Sequence, residues 1–408
     1  MRVLALAGYD SFLNTVRLIA PYFEKHGASI DFALVSARKK KQISGEQIAE
    51  MGFGKPIPTV TIKDLCESGD INTYDIVLSC LEGMSTRHLF HYLDEIGNTR
   101  PLVICVYPGL VLRYAFDGFS MRASADLLWL NCQKDIEAYK DMCQAFGHDG
   151  SNARLFGNAS LLEKIEREPN SDLGGPVVFF EQAVIPRYYH ERRFLVEQLC
   201  ALAKRYPTKD FLIKARAAGR KATLHRTWHP IEHLFQEVAQ SKNGVPSNIH
   251  LTEERAPILI SKASHCLTIS STVAIEAIYA GVPTTLISDF GAHDDYGLQY
   301  FYGSGILRNF ENIDLAAKEN VVSSWLTEST KDPSPVIDDM ILDAFDHAGK
   351  RNNGSYSRAR SCENSEYFRK HALNLGEIFF LARGFKSKLT LKKQIARYLK
   401  RILQGSSG

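Results

Sequence analysis

Strand-length runs of nearly unbroken apolar residues, each followed by an amphipathic stretch, constrain this chain more than any other feature. In the first 131 residues they are "RVLALAG" (2–8), "IDFALVS" (30–36), "YDIVLSCL" (74–81), "PLVICVYPG" (101–109) and "ADLLWLN" (125–131). A strand with one face in water alternates apolar and polar residues. A continuous apolar run belongs to a strand covered on both faces, as in a parallel sheet sandwiched by helices. Between the runs, "LNTVRLIAPYFEKHG" and "STRHLFHYLDEIGN" place apolar residues at helical spacing and end at Gly or Asn. This alternation predicts an α/β doubly wound domain over residues 1–165.

A polar, Gly/Pro-rich break, "EREPNSDLGGP" (166–176), reads as a linker. The pattern then restarts with "PVVFFEQ" (176–182), a helix through "ERRFLVEQLCALAKRYP" and "DFLIKAR" (210–216). It continues with "NIHLT" (248–252), "HCLTIS" (265–270) and "TTLISD" (284–289). A second α/β domain is expected over 176–325, with a helical segment over 326–408. A chain of 408 residues has room for two such cores. Two Rossmann-like domains facing across a cleft, followed by C-terminal helices, is the architecture this pattern predicts.

Composition excludes several classes. With 45% hydrophobic and 23% charged residues the chain reads as a soluble globular protein. A net charge of +3 gives no reason to expect nucleic acid as a partner. The eight cysteines stand singly, without metal-ligand or disulfide spacing, and read as buried thiols of a reducing compartment. Asp10 follows the first apolar run too soon for a signal peptide, and no stretch is long enough to span a membrane. A cytoplasmic location is expected. Residues 383–401 hold eight Lys/Arg and no acid, with Leu391, Ile395, Tyr398, Leu399 and Ile402 on one helical face. Such a basic amphipathic helix over 383–403 suits an anionic membrane surface.

The chemistry concentrates in "ISSTVAIEAIYAGVPTTLISDFG" (269–291). Open α/β sheets bind ligands at the carboxyl ends of their strands, where Ser270, Ser271 and Thr272 fall. Free backbone N–H groups at a helix start, with hydroxyls beside them, suit a phosphate, although Ser and Thr also cap helices without any ligand. Glu276 lies too far into the helix to cap it, among Val273, Ala274, Ala277 and Ile278. A carboxylate there is costly unless paired, and the vicinal hydroxyls of a ribose are a fitting partner. The helix then stops at Gly281 and Pro283.

This arrangement resembles the donor half of glycosyltransferases with the GT-B fold, where an E-x-x-x-x-G-x-P element follows a phosphate-contacting Ser or Thr. His229-Pro230 in "LHRTWHP" (224–230), followed by Ser270-Ser271, is similar to the HP and SS motifs of bacterial sialyltransferases, polysialyltransferases and Kdo transferases. In "FFEQAVIP" (179–186), Gln182 and Pro186 resemble a Gln-Pro element of capsule Kdo transferases, here not adjacent. The stretch from "PRYYHERRFLVEQL" to "GSGIL" also resembles a family of glycosyltransferases of undetermined specificity. The resemblance covers the second domain well and the first loosely. It implies transfer of an acidic keto sugar, Kdo or a nonulosonic acid, from a CMP donor to a surface polysaccharide or lipooligosaccharide. It also implies a metal-free site and no cofactor beyond the nucleotide sugar.

In that reading His229 donates to the departing phosphate, Ser270, Ser271 and Thr272 contact it, and Gln182, Lys214, His225 and Pro230 complete the donor side. The base for the acceptor hydroxyl comes from the first domain. Asp10 in "LAGYDSFLN" and Glu82 in "SCLEGMS" stand at strand ends. Glu82-Gly83 is similar to the acid-acid-Gly motif of bacterial sialyltransferases, with Leu81 in place of its first acid. Ser11, Asp117, Asp289 and Gly291 are candidate acceptor or loop contacts. The acids of "DFGAHDDYG" (289–297) suit a substrate loop better than a cation site, and "RKKKQ" (38–42) reads as a solvated edge. Three alternatives remain open at this point: a UDP- or GDP-hexose transferase, a CDP-polyol phosphotransferase, and a non-catalytic glycan-binding subunit.

Overall fold

The structure, a computed structural model, describes residues 1–36, 43–112, 115–215, 229–241, 244–291, 295–317 and 320–352. His225, the 38–42 run and the basic segment 383–403 lie outside the described residues.

The first sheet contains β1 (Arg2–Ala7), β2 (Ser29–Val35), β3 (Thr59–Val60), β4 (Ile76–Cys80), β5 (Leu102–Val106), β6 (Leu127–Leu130) and β7 (Ala153–Leu155). Their spatial order is β3-β2-β1-β4-β5-β6-β7, with every pair parallel. The second sheet contains β8 (Val177–Phe180), β9 (Phe211–Lys214), β10 (Ile249–Thr252), β11 (His265–Thr268), β12 (Thr284–Ile287) and β13 (Leu307–Arg308). These run parallel in the order β10-β9-β8-β11-β12-β13.

The continuous apolar runs are explained by two cores per sheet. In β1, Val3, Ala5 and Ala7 join Phe12, Val16 and Ile19 of helix Asp10–Lys25, while Leu4 and Leu6 join Leu89 and Leu93 of helix Gly83–Ile96 on the other face. The two-residue period of a strand sends successive side chains into different cores. Each fully buried Val, Leu, Ile or Phe contributes about 1.5–3 kcal/mol.

After the second domain the described chain returns to the first. Helix Ile337–Asn352 sends Ile337, Met340, Ile341, Ala344 and Ala348 into the first domain's core, beside Phe23 and Leu102. Lys25 pairs with Asp338 at 2.7 Å and Arg154 with Asp343 at 2.8 Å. An apolar stripe at i, i+4, i+7 and i+11 needs a partner surface, and the first sheet supplies it. Seven described cysteines are buried free thiols. Burial pushes Cys66 up to about 11 and Cys105 to about 12. Among the described residues no helix is long and apolar enough to cross a membrane.

Candidate active site

In each sheet the winding direction reverses once, between β1 and β4 in the first and between β8 and β11 in the second. At such a reversal the loops beyond neighbouring strand ends diverge and leave a crevice. Register pairs Ala7 of β1 with Cys80 of β4, so Asp10, Ser11 and Glu82 stand beyond the carboxyl ends at the first reversal. Gln182 follows β8 and Ser270–Thr272 follow β11, at the second.

Asp10 begins helix Asp10–Lys25, where the unpaired N–H groups favour a negative charge. Its Oδ1 is buried and, among the described residues, has no hydrogen-bond partner. A cleft of about 280 Å³ holds Asp10 together with Asn14, Glu50, Glu163, Arg255 and Glu276. Two expected residues from different domains therefore open on one space. Glu82, Gln182, Lys214, His229, Ser270 and Ser271 are not among the residues lining it. Glu82 precedes helix Gly83–Ile96, where it accepts the hydroxyl of Ser85 at 3.1 Å and, through its carbonyl, that of Thr86 at 3.1 Å. Half-buried Ser11 accepts the hydroxyl of Thr15 through its carbonyl at 3.0 Å. Asp117 is exposed on helix Ala115–Ser120.

Ser270 faces inward rather than toward the cleft. It is 0% exposed, and its hydroxyl donates to the carbonyl of Tyr296. Gln182 clamps the same residue twice, donating to its Oγ at 3.3 Å and accepting its backbone N–H at 2.9 Å. Ser270 and Gln182 thus shape the loop from within. Ser271 is half-buried, and its hydroxyl accepts the N–H of Val273 at 3.4 Å. Helix Val273–Tyr279, which follows them, has seven residues.

Thr272 meets the other domain. Its Oγ1 accepts the N–H of Leu110 at 3.4 Å, in the loop after β5. A Cβ on Gly109 would lie 2.6 Å from that oxygen, so the approach requires glycine. Asn131 holds the carbonyl of Gly109 at 2.9 Å, and Gln299 reaches the carbonyl of Leu112 at 2.9 Å. Thr272 is therefore spent on joining the domains. Nearby, Lys134 donates to Ser329 at 2.9 Å, and Asp135 on the same helix is buried, which raises its carboxyl to about 6.

Lys214 donates to the carbonyls of Ala215 at 3.0 Å and Glu253 at 3.2 Å, pinning the loops after β9 and β10. Asp289 accepts the N–H of Phe310 at 2.9 Å, and partial burial pushes its carboxyl up. Gly291 takes a left-handed turn at φ +78°. These two organise the loop after β12. His229 packs against Tyr189, ring centroids 5.5 Å apart and planes at 73°, and Pro230 precedes helix Ile231–Ala239.

Two contributors escaped the sequence reading. Arg192 on helix Tyr189–Arg205 is 2% exposed and pairs with buried Glu181. It also donates to the carbonyls of Gln182 and Pro186, each at 3.3 Å, and so fixes the loop that carries Gln182. Tyr296 joins this system through its hydroxyl, which donates to Glu191 and accepts the N–H of Arg187 at 3.0 Å. The acid in "FFEQ" and the paired arginines of "HERRF" were the only hints. Among the described residues no group of His, Cys, Asp and Glu is placed to hold a metal ion.

Two parallel, doubly wound domains opening on a common cleft are the architecture of the GT-B class. Known structures agree. The similar ones include a "putative UDP-N-acetylglucosamine 2-epimerase" from Listeria monocytogenes (TM-score 0.57, 14% identity, covering 88% of this chain and 98% of that one). MnaA of S. aureus with UDP gives a TM-score of 0.57 at 12% identity over 88% of this chain and 99% of its own. The UDP-GlcNAc 2-epimerase of Methanocaldococcus jannaschii, with UDP-GlcNAc and UDP, gives 0.55 at 15% identity over 85% and 99%. At such identities the likeness concerns the fold. No curated protein matches the chain. Residues 3–337 match the family described as "Putative glycosyltransferase (DUF6716)", and the chain belongs to that family.

Proposed function

We propose that this protein transfers a glycosyl group from a pyrimidine nucleotide sugar to a hydroxyl of a glycan or glycolipid acceptor bound in the interdomain cleft. One observation carries the reading: Asp10 of the first domain and Glu276 of the second line the same cavity. Glu276 takes the ribose hydroxyls. Ser271, the neighbouring backbone and His229 take the phosphate, and His229 donates to the departing oxygen. Asp10, with one carboxylate oxygen lacking a partner among the described residues, accepts the proton of the attacking hydroxyl. No metal is assigned a role.

The donor we favour is a UDP-linked neutral sugar. Structures of similar fold hold UDP or UDP-GlcNAc. The cleft carries the carboxylates of Asp10, Glu50, Glu163 and Glu276 against Arg255, which lies 3.6 Å from Glu163. These repel the diphosphate of a UDP donor as they repel the phosphate and carboxylate of a CMP-linked acid, so the lining charge does not choose between the two. A CMP-linked keto sugar is the second reading, favoured by His229-Pro230 and Ser270-Ser271.

Thermal unfolding with UDP, CMP, CDP and GDP decides between them. UDP at a hundred times its Kd should add about 2.7 kcal/mol, and Glu276→Ala should remove most of that gain. A larger shift with CMP selects the keto-sugar reading, and no shift with any nucleotide refutes both. The basic segment 383–403 places the enzyme at an anionic membrane in this proposal. Flotation with phosphatidylserine vesicles should then be lost on deleting residues 385–408, and undiminished flotation would refute the anchor.

A further inference from the structure

An imidazole can serve at a leaving group only if it is held in place. His229 stands on a loop at the start of helix Ile231–Ala239, where a side chain has rotamers to spare. What holds it comes from another part of the chain. Tyr189 begins helix Tyr189–Arg205, beyond β8, and its ring meets the imidazole at 5.5 Å. The tyrosine is itself tied down. Its hydroxyl donates at 2.6 Å to Glu237, on the helix that His229-Pro230 introduces.

Core packing does not account for this side chain, because Tyr189 is 40% exposed. Two residues further on, Glu191 accepts the hydroxyl of Tyr296, whose carbonyl accepts that of Ser270. One helix end therefore reaches the imidazole through Tyr189 and the serine loop through Glu191.

We infer that Tyr189 is a positioning residue that fixes the imidazole of His229 relative to the Ser270–Ser271 loop, so that a nucleotide phosphate meets both. This rests on the assignment of His229 to the phosphate. The ring acts through aromatic packing, and the hydroxyl acts by tying the ring to the second helix.

Imidazole proton signals of the whole chain, with His229 assigned by its loss in His229→Ala, test the inference with UDP and CMP as probes. In the unsubstituted protein the His229 signal should carry a ring-current displacement and move when the nucleotide binds. Tyr189→Phe, which keeps the ring but loses its tie to Glu237, should retain the displacement and only part of the nucleotide response. Tyr189→Leu should abolish the displacement and most of the nucleotide response, while affinity changes by less than about threefold. A full response in Tyr189→Leu would overturn the positioning role. If UDP or CMP binds the unsubstituted protein without moving His229, the assignment of that residue to the phosphate fails first, and Tyr189 loses its role with it.

Discussion

Replacing His229 with alanine is expected to slow glycosyl transfer by about 10²–10⁴-fold, the range for a lost general acid. Saturation by the nucleotide should change little. The departing nucleotide gains negative charge as the glycosidic bond breaks, and an imidazole donor matters most at that moment. Ground-state binding is shared with Glu276, Ser271 and the backbone, so the loss should appear in kcat more than in KM. His229 is half-buried at the start of a helix, and among the described residues its ring contact is Tyr189, so alanine should leave the unfolding midpoint nearly unchanged. Initial rates with the donor selected by the nucleotide panel measure the effect. Unchanged kcat would remove His229 from the general-acid role, and absence of transfer by the unsubstituted protein with every donor would favour the glycan-binding subunit over the enzyme.

The parallel sheets were legible in the sequence because both of their faces are buried. Runs such as "IVLSC" in β4 and "LVICV" in β5 have no exposed position, so the pattern is continuous. The edge strands β3 and β13 were not legible. Each has two residues, and those of β13 are half-exposed, so no apolar run forms. Helix Ile337–Asn352 has an evident apolar stripe, yet a stripe does not name the surface that covers it.

The site shows the same division. Glu276 stood out as a carboxylate within an apolar run. The helix begins only at Val273, however, and so holds it in the first turn, where the free N–H groups favour an acid, rather than deep in the helix as the sequence suggested. Ser270 stood out equally, and its partner proved to be a carbonyl 26 residues away. Local pattern marks a hydroxyl at a strand end without revealing which way it turns. That depends on Tyr296 and Gln182, brought there by other strands. Thr272 likewise became a domain contact because Gly109 leaves room for it.

Removing Arg192 should have the largest effect on stability. Its pair with Glu181 is buried, with side-chain exposures of 2% and 4%. Arg192→Ala leaves an uncompensated carboxylate in the interior, a loss of about 3–5 kcal/mol. It also orphans the carbonyls of Gln182 and Pro186, which is costly in itself. The damage should be local to the second domain, read as lost amide protection in β8 and β11 while β1 and β4 stay protected. Charge, rather than volume, is the cause, so Arg192→Met combined with Glu181→Leu should recover most of the stability. Nucleotide affinity should not recover with it. The double variant cannot donate to the carbonyl of Gln182, and without that bond the Gln182 clamp on Ser270 loosens. Recovery of stability and affinity together would show that the pair serves folding alone.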